Sequence, residues 1–231
     1  MLLLSISIVF FILFLLAFFF YASYSISSGV YVKAYCKKET TEKEVALTFD
    51  DGPNAEYTPK ILDILKQQNV EAAFFCIGSE VEKNPQLVER MIAEGHLIGN
   101  HSYSHIHSFP VFGVKKMISD IRHCENAITA ITRQPVRFFR PPFGITNPLI
   151  RKALKSFNYY TIGWSIRSLD TTIGNVDKIV GRVIKRIRPG SVILLHDRLP
   201  HSEQVLEKIL TYLSENNYTI KRVDKLFNIT V

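Results

Sequence analysis

Val45-Ala46-Leu47-Thr48-Phe49-Asp50-Asp51-Gly52-Pro53 carries an almost unbroken apolar run straight into two adjacent carboxylates and a turn. Apolar residues without polar alternation read as a strand buried on both faces, as in a parallel sheet. On a regular strand Asp50 and Asp51 would point to opposite faces. The Gly52-Pro53 turn supplies a bend that can bring both towards one cavity. Two neighbouring carboxylates suit a division of labour, one holding a cation and the other taking a proton from water. The plainer reading of Asp-Asp-Gly alone is an Asx turn with a solvated second carboxylate. The rest of the chain decides between them.

Outward from this strand, strand-like and helix-like segments alternate. Thr58-Pro59 opens a helix through Ile61, Leu62, Ile64 and Leu65, with proline in the first turn where its missing N–H costs little. Ala72 to Ile77 reads as a second strand. Pro85 opens a helix that Gly95 is placed to end, and Leu97-Ile98 leads into His101. An amphipathic helix from Val114 to Ile131 is followed by apolar runs at Val136–Phe139, Tyr159–Trp164, Val192–Leu195 and Thr219–Val223, with helical patterns from Pro148, Val176 and Ser202 between them. Buried strands each followed by a helix predict a parallel sheet covered by helices, and seven such strands are countable.

Four further polar clusters stand at the ends of apolar runs: His101-Ser102-Tyr103-Ser104-His105, Arg140-Pro141-Pro142-Phe143-Gly144, Leu169-Asp170 and Leu194-Leu195-His196-Asp197. The spacing of His101 and His105 predicts two imidazoles on one face of a helical turn. With Asp51 they make three ligands for a divalent metal, a set that suits zinc and also accepts other first-row ions. His196 is delivered to a strand end by a pure aliphatic run, with Asp170 before it as an acidic partner. Polar groups gathered at the C-terminal ends of several strands favour a (β/α) barrel over an open sheet. His96, His107, His123 and His201 read as bystanders.

The five clusters, in this order, resemble the motifs of the polysaccharide deacetylase family (NodB homology, carbohydrate esterase family 4), and the resemblance runs from about Lys43 to Leu226. Thr48 to Pro53 matches the first motif letter for letter, and Arg140, Pro142 and Gly144 match the fixed positions of the third. The resemblance implies a distorted (β/α) barrel with about seven parallel strands and a metal-dependent deacetylase. It implies Asp50 as the catalytic base, held by Arg140, and Asp51, His101 and His105 as the metal ligands. It further implies the Phe143 N–H as an oxyanion donor and His196 as the acid, oriented by Asp170. The substrate it implies is N-acetylglucosamine in a polysaccharide, peptidoglycan foremost. The alternatives are an O-acetyl esterase on xylan or another acetylated glycan, and an inactive carbohydrate-binding module. The fourth motif departs from the family's Asp-x-x-Asp-Trp: Arg167 stands at the first acid and Thr171 at the aromatic, which puts the groove wall and substrate choice in question.

Residues 1–22 are expected to form a transmembrane anchor or uncleaved signal, residues 23–42 a linker and residues 43–231 the catalytic domain. Leu2 to Ala22 carries no charge and is long enough for a bilayer core of ~30 Å. Lys33, Lys37 and Lys38 after the span would place the domain in the cytosol by the positive-inside rule. A wall polysaccharide requires the opposite, and the expected location is membrane-anchored with the domain outside the cytosol. The formal net charge is +7, but its Lys and Arg are scattered, so no nucleic-acid partner is expected. Three cysteines, Cys36, Cys76 and Cys124, without a Cys-x-x-Cys pair, argue against a disulfide framework.

Overall fold

The structure is a computed structural model and describes residues 2–230. Strand β1 (Glu44–Asp50) lies at the centre, between β2 (Ala73–Cys76) and β7 (Ser191–His196), with β8 (Thr219–Ile220) paired to its first residues. Beyond β2 come β3 (Leu97–Asn100), β4 (Phe138–Phe139) and β5 (Tyr160–Thr161); beyond β7 comes β6 (Ile166–Arg167). Every strand pair is parallel. The two ends of this seven-strand path, β5 and β6, are joined only by residues 162–165. The sheet therefore curls until its edges are neighbours, a barrel open along one seam. The expected distorted barrel is found. The sequence reading counted β8 as its seventh strand and missed β6, which at two residues is too short to show a period.

Register builds a single rim. Asp50 lies beside Phe75 and His196, Cys76 beside Asn100, and Asn100 beside Phe139. Strand alternation sorts β1 into two faces. Val45, Leu47 and Phe49 face the helices, where Phe49 stacks on Phe74 at 5.0 Å, and Ala46 joins the inner cluster with Phe75, Phe138 and Val192. Each fully buried aromatic or aliphatic side chain stabilises the fold by about 1.5–3 kcal/mol.

The covering helices are α2 (Thr58–Gln67), α3 (Gly78–Lys83), α4 (Pro85–Ala93), α5 (Val114–Thr132), α6 (Pro148–Leu154), α7 (Val176–Ile184), α8 (Ser202–Glu215) and α9 (Val223–Phe227). Asn147 and Asn175 cap α6 and α7 by accepting from the N–H groups of Ile150 and Lys178, both at 2.9 Å. Gly95, at φ +83°, turns the chain after α4.

Helix α1 (Leu2–Tyr24) precedes the domain; its Ser5–Tyr24 part has a mean hydropathy of 2.6 and is almost wholly unburied. Residues 23–42, expected as a linker, pack on the domain. Ile26 is buried, Tyr35 bridges to Ile162, and Lys37 bridges to Ser191. This segment lies along the open seam.

Candidate active site

Asp50 shares the inner face of β1 with Thr48, and both reach the guanidinium of Arg140. Arg140 leaves the end of β4 fully buried and donates from Nη1 to Asp50 Oδ1 at 2.6 Å and to Thr48 Oγ1 at 2.9 Å. Its Nε donates to the Ile162 carbonyl at 3.0 Å and its Nη2 to the Gly163 carbonyl at 2.8 Å. Phe75 lies beneath the guanidinium, 4.1 Å from ring centroid to Cζ. A buried charge is tolerated because a carboxylate, a hydroxyl and two carbonyls satisfy it. One side chain thus holds a carboxylate in place and ties β1 to the seam.

Asp51 would face outward by alternation. A φ of +75° at Asp51 itself, rather than the glycine after it, turns its carboxylate to the same side as Asp50. Gly52 is required beside it, since a Cβ there would lie 2.2 Å from Asp197 Oδ2. Asp197 is buried and accepts from Thr58 Oγ1 at 2.5 Å. Burial pushes Asp197 up to about 7, against the pull of Thr58 and its own backbone.

His101 and His105 do not share a helical turn. The chain after β3 is a loop in which Ser102 and His105 take φ of +67° and +45°. The rings still meet, with centroids 4.7 Å apart, because the loop doubles back and Ser102 Oγ accepts from the His105 N–H at 3.1 Å. His101 Nδ1 donates to the Arg140 carbonyl at 2.8 Å, which leaves Nε2 as a lone pair facing Asp51. Asp51 Oδ1 lies 3.4 Å from His101 Nε2 and 3.3 Å from His105 Nε2. Burial, reinforced by His101, pushes His105 down to about 3, so its imidazole is neutral, and its buried Nε2 has no hydrogen-bond partner. Burial alone would raise the Asp51 carboxyl; the imidazoles gathered around it, His101 first, outweigh that and hold it below the usual range. An anionic oxygen and two imidazole nitrogens, with ligand atoms within 4.8 Å of one another and one nitrogen unpartnered, fit a divalent cation.

His196 ends β7 across from this cluster. Its Nδ1 donates to Asp170 Oδ1 at 2.7 Å, and Asp170 Oδ2 accepts from its backbone N–H at 2.9 Å. Burial would lower the imidazole, but Asp170, then Asp50 and Asp51, raise it overall. Leu169 at φ +62° turns Asp170 towards it. Phe143, at φ +61°, lies at the lip with its ring 4.7 Å from His105.

All eight residues singled out from the sequence converge on this one cleft or its immediate support. Four contributors were missed. Arg198 donates from Nε to Asp51 Oδ2 at 2.9 Å. Trp164 walls the cleft against Gly144, where a Cβ would meet its ring at 2.3 Å, and provides an aromatic surface in a groove where Thr171 cannot. His201, read as a bystander, lies 3.0 Å from the Asp170 carbonyl, and His107 stacks on Phe143 at 5.4 Å. Arg167 lines the cleft with Arg198.

The profile of the polysaccharide deacetylase family matches residues 37–162. The chain belongs to this family. It is 37% identical over 190 residues to a peptidoglycan-N-acetylglucosamine deacetylase of Bacillus cereus, covering 80% of this chain and 88% of the relative. It is 34% identical over 200 residues to the peptidoglycan-N-acetylmuramic acid deacetylase PdaA of Bacillus subtilis, covering 84% and 74%. Among solved structures, the Bc1960 peptidoglycan N-acetylglucosamine deacetylase superposes with a TM-score of 0.78 at 35% identity, over 85% of this chain and 93% of that one. The polysaccharide deacetylase is thus a carbohydrate-acting hydrolase with a barrel of the NodB type.

Proposed function

We propose that this chain removes N-acetyl groups from N-acetylglucosamine units of peptidoglycan, anchored by α1 with its domain outside the cytosol. The observation that carries the reading is a carboxylate, Asp51, facing two imidazole nitrogens beside a second carboxylate, Asp50, that a buried arginine immobilises. The relatives' substrates support the glycan class.

Asp51, His101 and His105 would hold a divalent ion, zinc being the best match to one oxygen and two nitrogens. When bound, such an ion supplies Lewis acidity, polarising the acetamide carbonyl and lowering the pKa of water. Asp50, kept on the cleft side by Arg140, accepts the proton of the attacking water. The Phe143 N–H donates to the acetamide oxygen as it gains negative charge. Asp170 accepts the His196 Nδ1 proton and, with Asp50 and Asp51, favours the doubly protonated ring, whose Nε2–H faces the cleft and protonates the departing nitrogen. The carbon–nitrogen bond breaks, and acetate and a glucosamine unit leave. The glucosamine amine then carries positive charge at neutral pH.

Purified full-length chain in detergent should release acetate from N-acetylglucosamine oligomers and peptidoglycan, lose this activity to a chelator and regain it with a divalent ion. Asp51→Ala should lose the metal; Asp50→Asn should keep it and lose turnover. Wild-type rates in either variant would refute the assignment of roles, and faster release from acetylxylan would make the chain an O-acetyl esterase. Glycan binding without acetate release under any metal would make it a binding module. A C-terminal reporter that works only outside the cytosol tests the orientation.

A further inference from the structure

The last turn of α1 is fastened to the lip of the cleft. Thr146 Oγ1 donates to the Ala22 carbonyl at 3.2 Å, and the Thr146 N–H donates to the Ser23 carbonyl at 2.9 Å. The Ala22 carbonyl also accepts from Ser28 Oγ at 3.1 Å. These are carbonyls at the helix end, where intrahelical partners run out. Ala22 is fully buried against the domain, while the helix before it is bare. Tyr21 and Tyr24, 54% and 61% exposed, flank this turn, and tyrosine at the end of an apolar span marks the headgroup level of a bilayer. Thr146 therefore lies at that level. Gly144, which lines the cleft, is two residues away, at most about 7 Å along the chain.

The surface around Thr146 has the matching composition. Asn147 Nδ2 donates to the Pro110 carbonyl at 2.6 Å, joining the loop before α5 to the start of α6. Here Val111 is 74% exposed, Ile106 45% and Leu149 38%, an apolar group on an otherwise polar domain surface. Lys115, Lys116 and Arg151 stand exposed beside them, and residues 101–119 and 126–169 contain no Asp or Glu. Apolar tips with cations beside them are complementary to an anionic lipid surface.

We propose that this lip is a second membrane contact, with Val111, Ile106 and Leu149 seated among the headgroups, so that the cleft opens at the bilayer surface and acts on N-acetylated saccharides held there by a lipid. The proposal rests on the anchored, outward-facing deacetylase proposed above, and deepens it by naming where the substrate is.

Full-length chain is reconstituted into vesicles of phosphatidylglycerol and phosphatidylcholine, and carbonate extraction is applied first. Release of the chain from the vesicles would overturn the anchor reading and this proposal with it. With the chain retained, a fluorophore on Val111→Cys, in a Cys36→Ala background, should be quenched by spin-labelled lipid at least threefold more than one on Glu215→Cys at the far end of α8. Equal quenching at the two positions overturns the lip contact alone, whatever the activity. In the double variant Val111→Asp, Leu149→Asp, acetate release from a lipid-carried saccharide in the same vesicle should fall at least tenfold, with release from a water-soluble oligomer within twofold of wild type. An unchanged ratio of the two rates overturns the proposal. Loss of both rates alone would not alter the quenching result, which decides whether the lip touches lipid.

Discussion

Arg140→Lys tests whether one guanidinium both holds Asp50 and closes the seam. A lysine ammonium is a point donor and can follow Nη1 to Asp50 or Thr48, but it cannot also reach the Ile162 and Gly163 carbonyls on the opposite side. Two hydrogen bonds from a charged donor are lost, each worth about 1.5–3 kcal/mol, and two buried carbonyls are left unsatisfied. Against this, the ion pair with Asp50 is kept, so the larger penalty of an orphaned buried charge is avoided. A net destabilisation of roughly 3–5 kcal/mol follows, a large part of the stability of a domain this size. At ~2–4 °C per kcal/mol the melting temperature should fall by about 10 °C. Asp50 should lose its fixed position as well, and a misplaced base costs on the order of 100-fold in turnover. Urea unfolding and acetate release on the same preparation check both numbers, with metal content as the control. Unfolding within about 1 kcal/mol of wild type, together with full turnover, would refute the dual role.

Three other perturbations have definite outcomes. Burial pushes His96 down from its ordinary 6.5 to about 4, against Glu94 and Glu71, while its Nδ1 accepts from the Ala72 N–H at 3.1 Å. The unfolded chain takes a proton below about pH 6.5 that the folded chain refuses, so this contribution is intact at pH 7 and is lost as pH falls towards 4. The loss is roughly 2 kcal/mol by pH 5; urea midpoints at the two pH values should differ less in His96→Gln than in wild type. Gly52→Ala drives a methyl group into the Asp197 carboxylate, and should cost about 1–3 kcal/mol by overpacking and displace the Asp51 turn; thermal melts and metal titration measure the two effects, and a neutral result on both counts would contradict the close approach. Arg198 holds Asp51 Oδ2 from a half-exposed position, competing with a cation for the same carboxylate. Arg198→Ala should therefore bind zinc more tightly by calorimetry, and weaker binding would show that the arginine supports the site instead.

Every strand but β6 was legible as an apolar run, and the two-residue strands β4, β5 and β8 were read longer than they are. β1 and β7 run six or seven residues of near-continuous apolar character, a strand's length rather than a helix's, with Gly-Pro or a polar cluster marking the end. β4, β5 and β6 have two residues each, paired only because longer neighbours and the curl of the sheet bring them together. The site residues were legible through motif wording, but the local geometry was read too simply. A four-residue histidine spacing suggests a helix, yet the loop achieves the same meeting through two positive φ angles. The turn at Asp50-Asp51 was placed on Gly52, whereas Asp51 itself carries it and Gly52 makes room for Asp197. Arg198, Trp164 and His201 join the cleft only through tertiary approach. Asp197, by contrast, carried a local signal, adjacent to His196 at the end of an aliphatic strand.

The segment along the seam does the work of a missing stave. Tyr35 donates its N–H to the Thr161 carbonyl and accepts from the Gly163 N–H, while a Cβ on Gly163 would run into Cys36 Sγ. Trimming the chain to residue 43 would bare the backbone that Arg140 grips from within, and the wall behind the base would loosen. A cut between residues 24 and 26 would sever the molecule from its anchor and leave the stave in place. Shedding and unfolding are thus separated by about ten residues of sequence, the stretch from Ile26 to Tyr35.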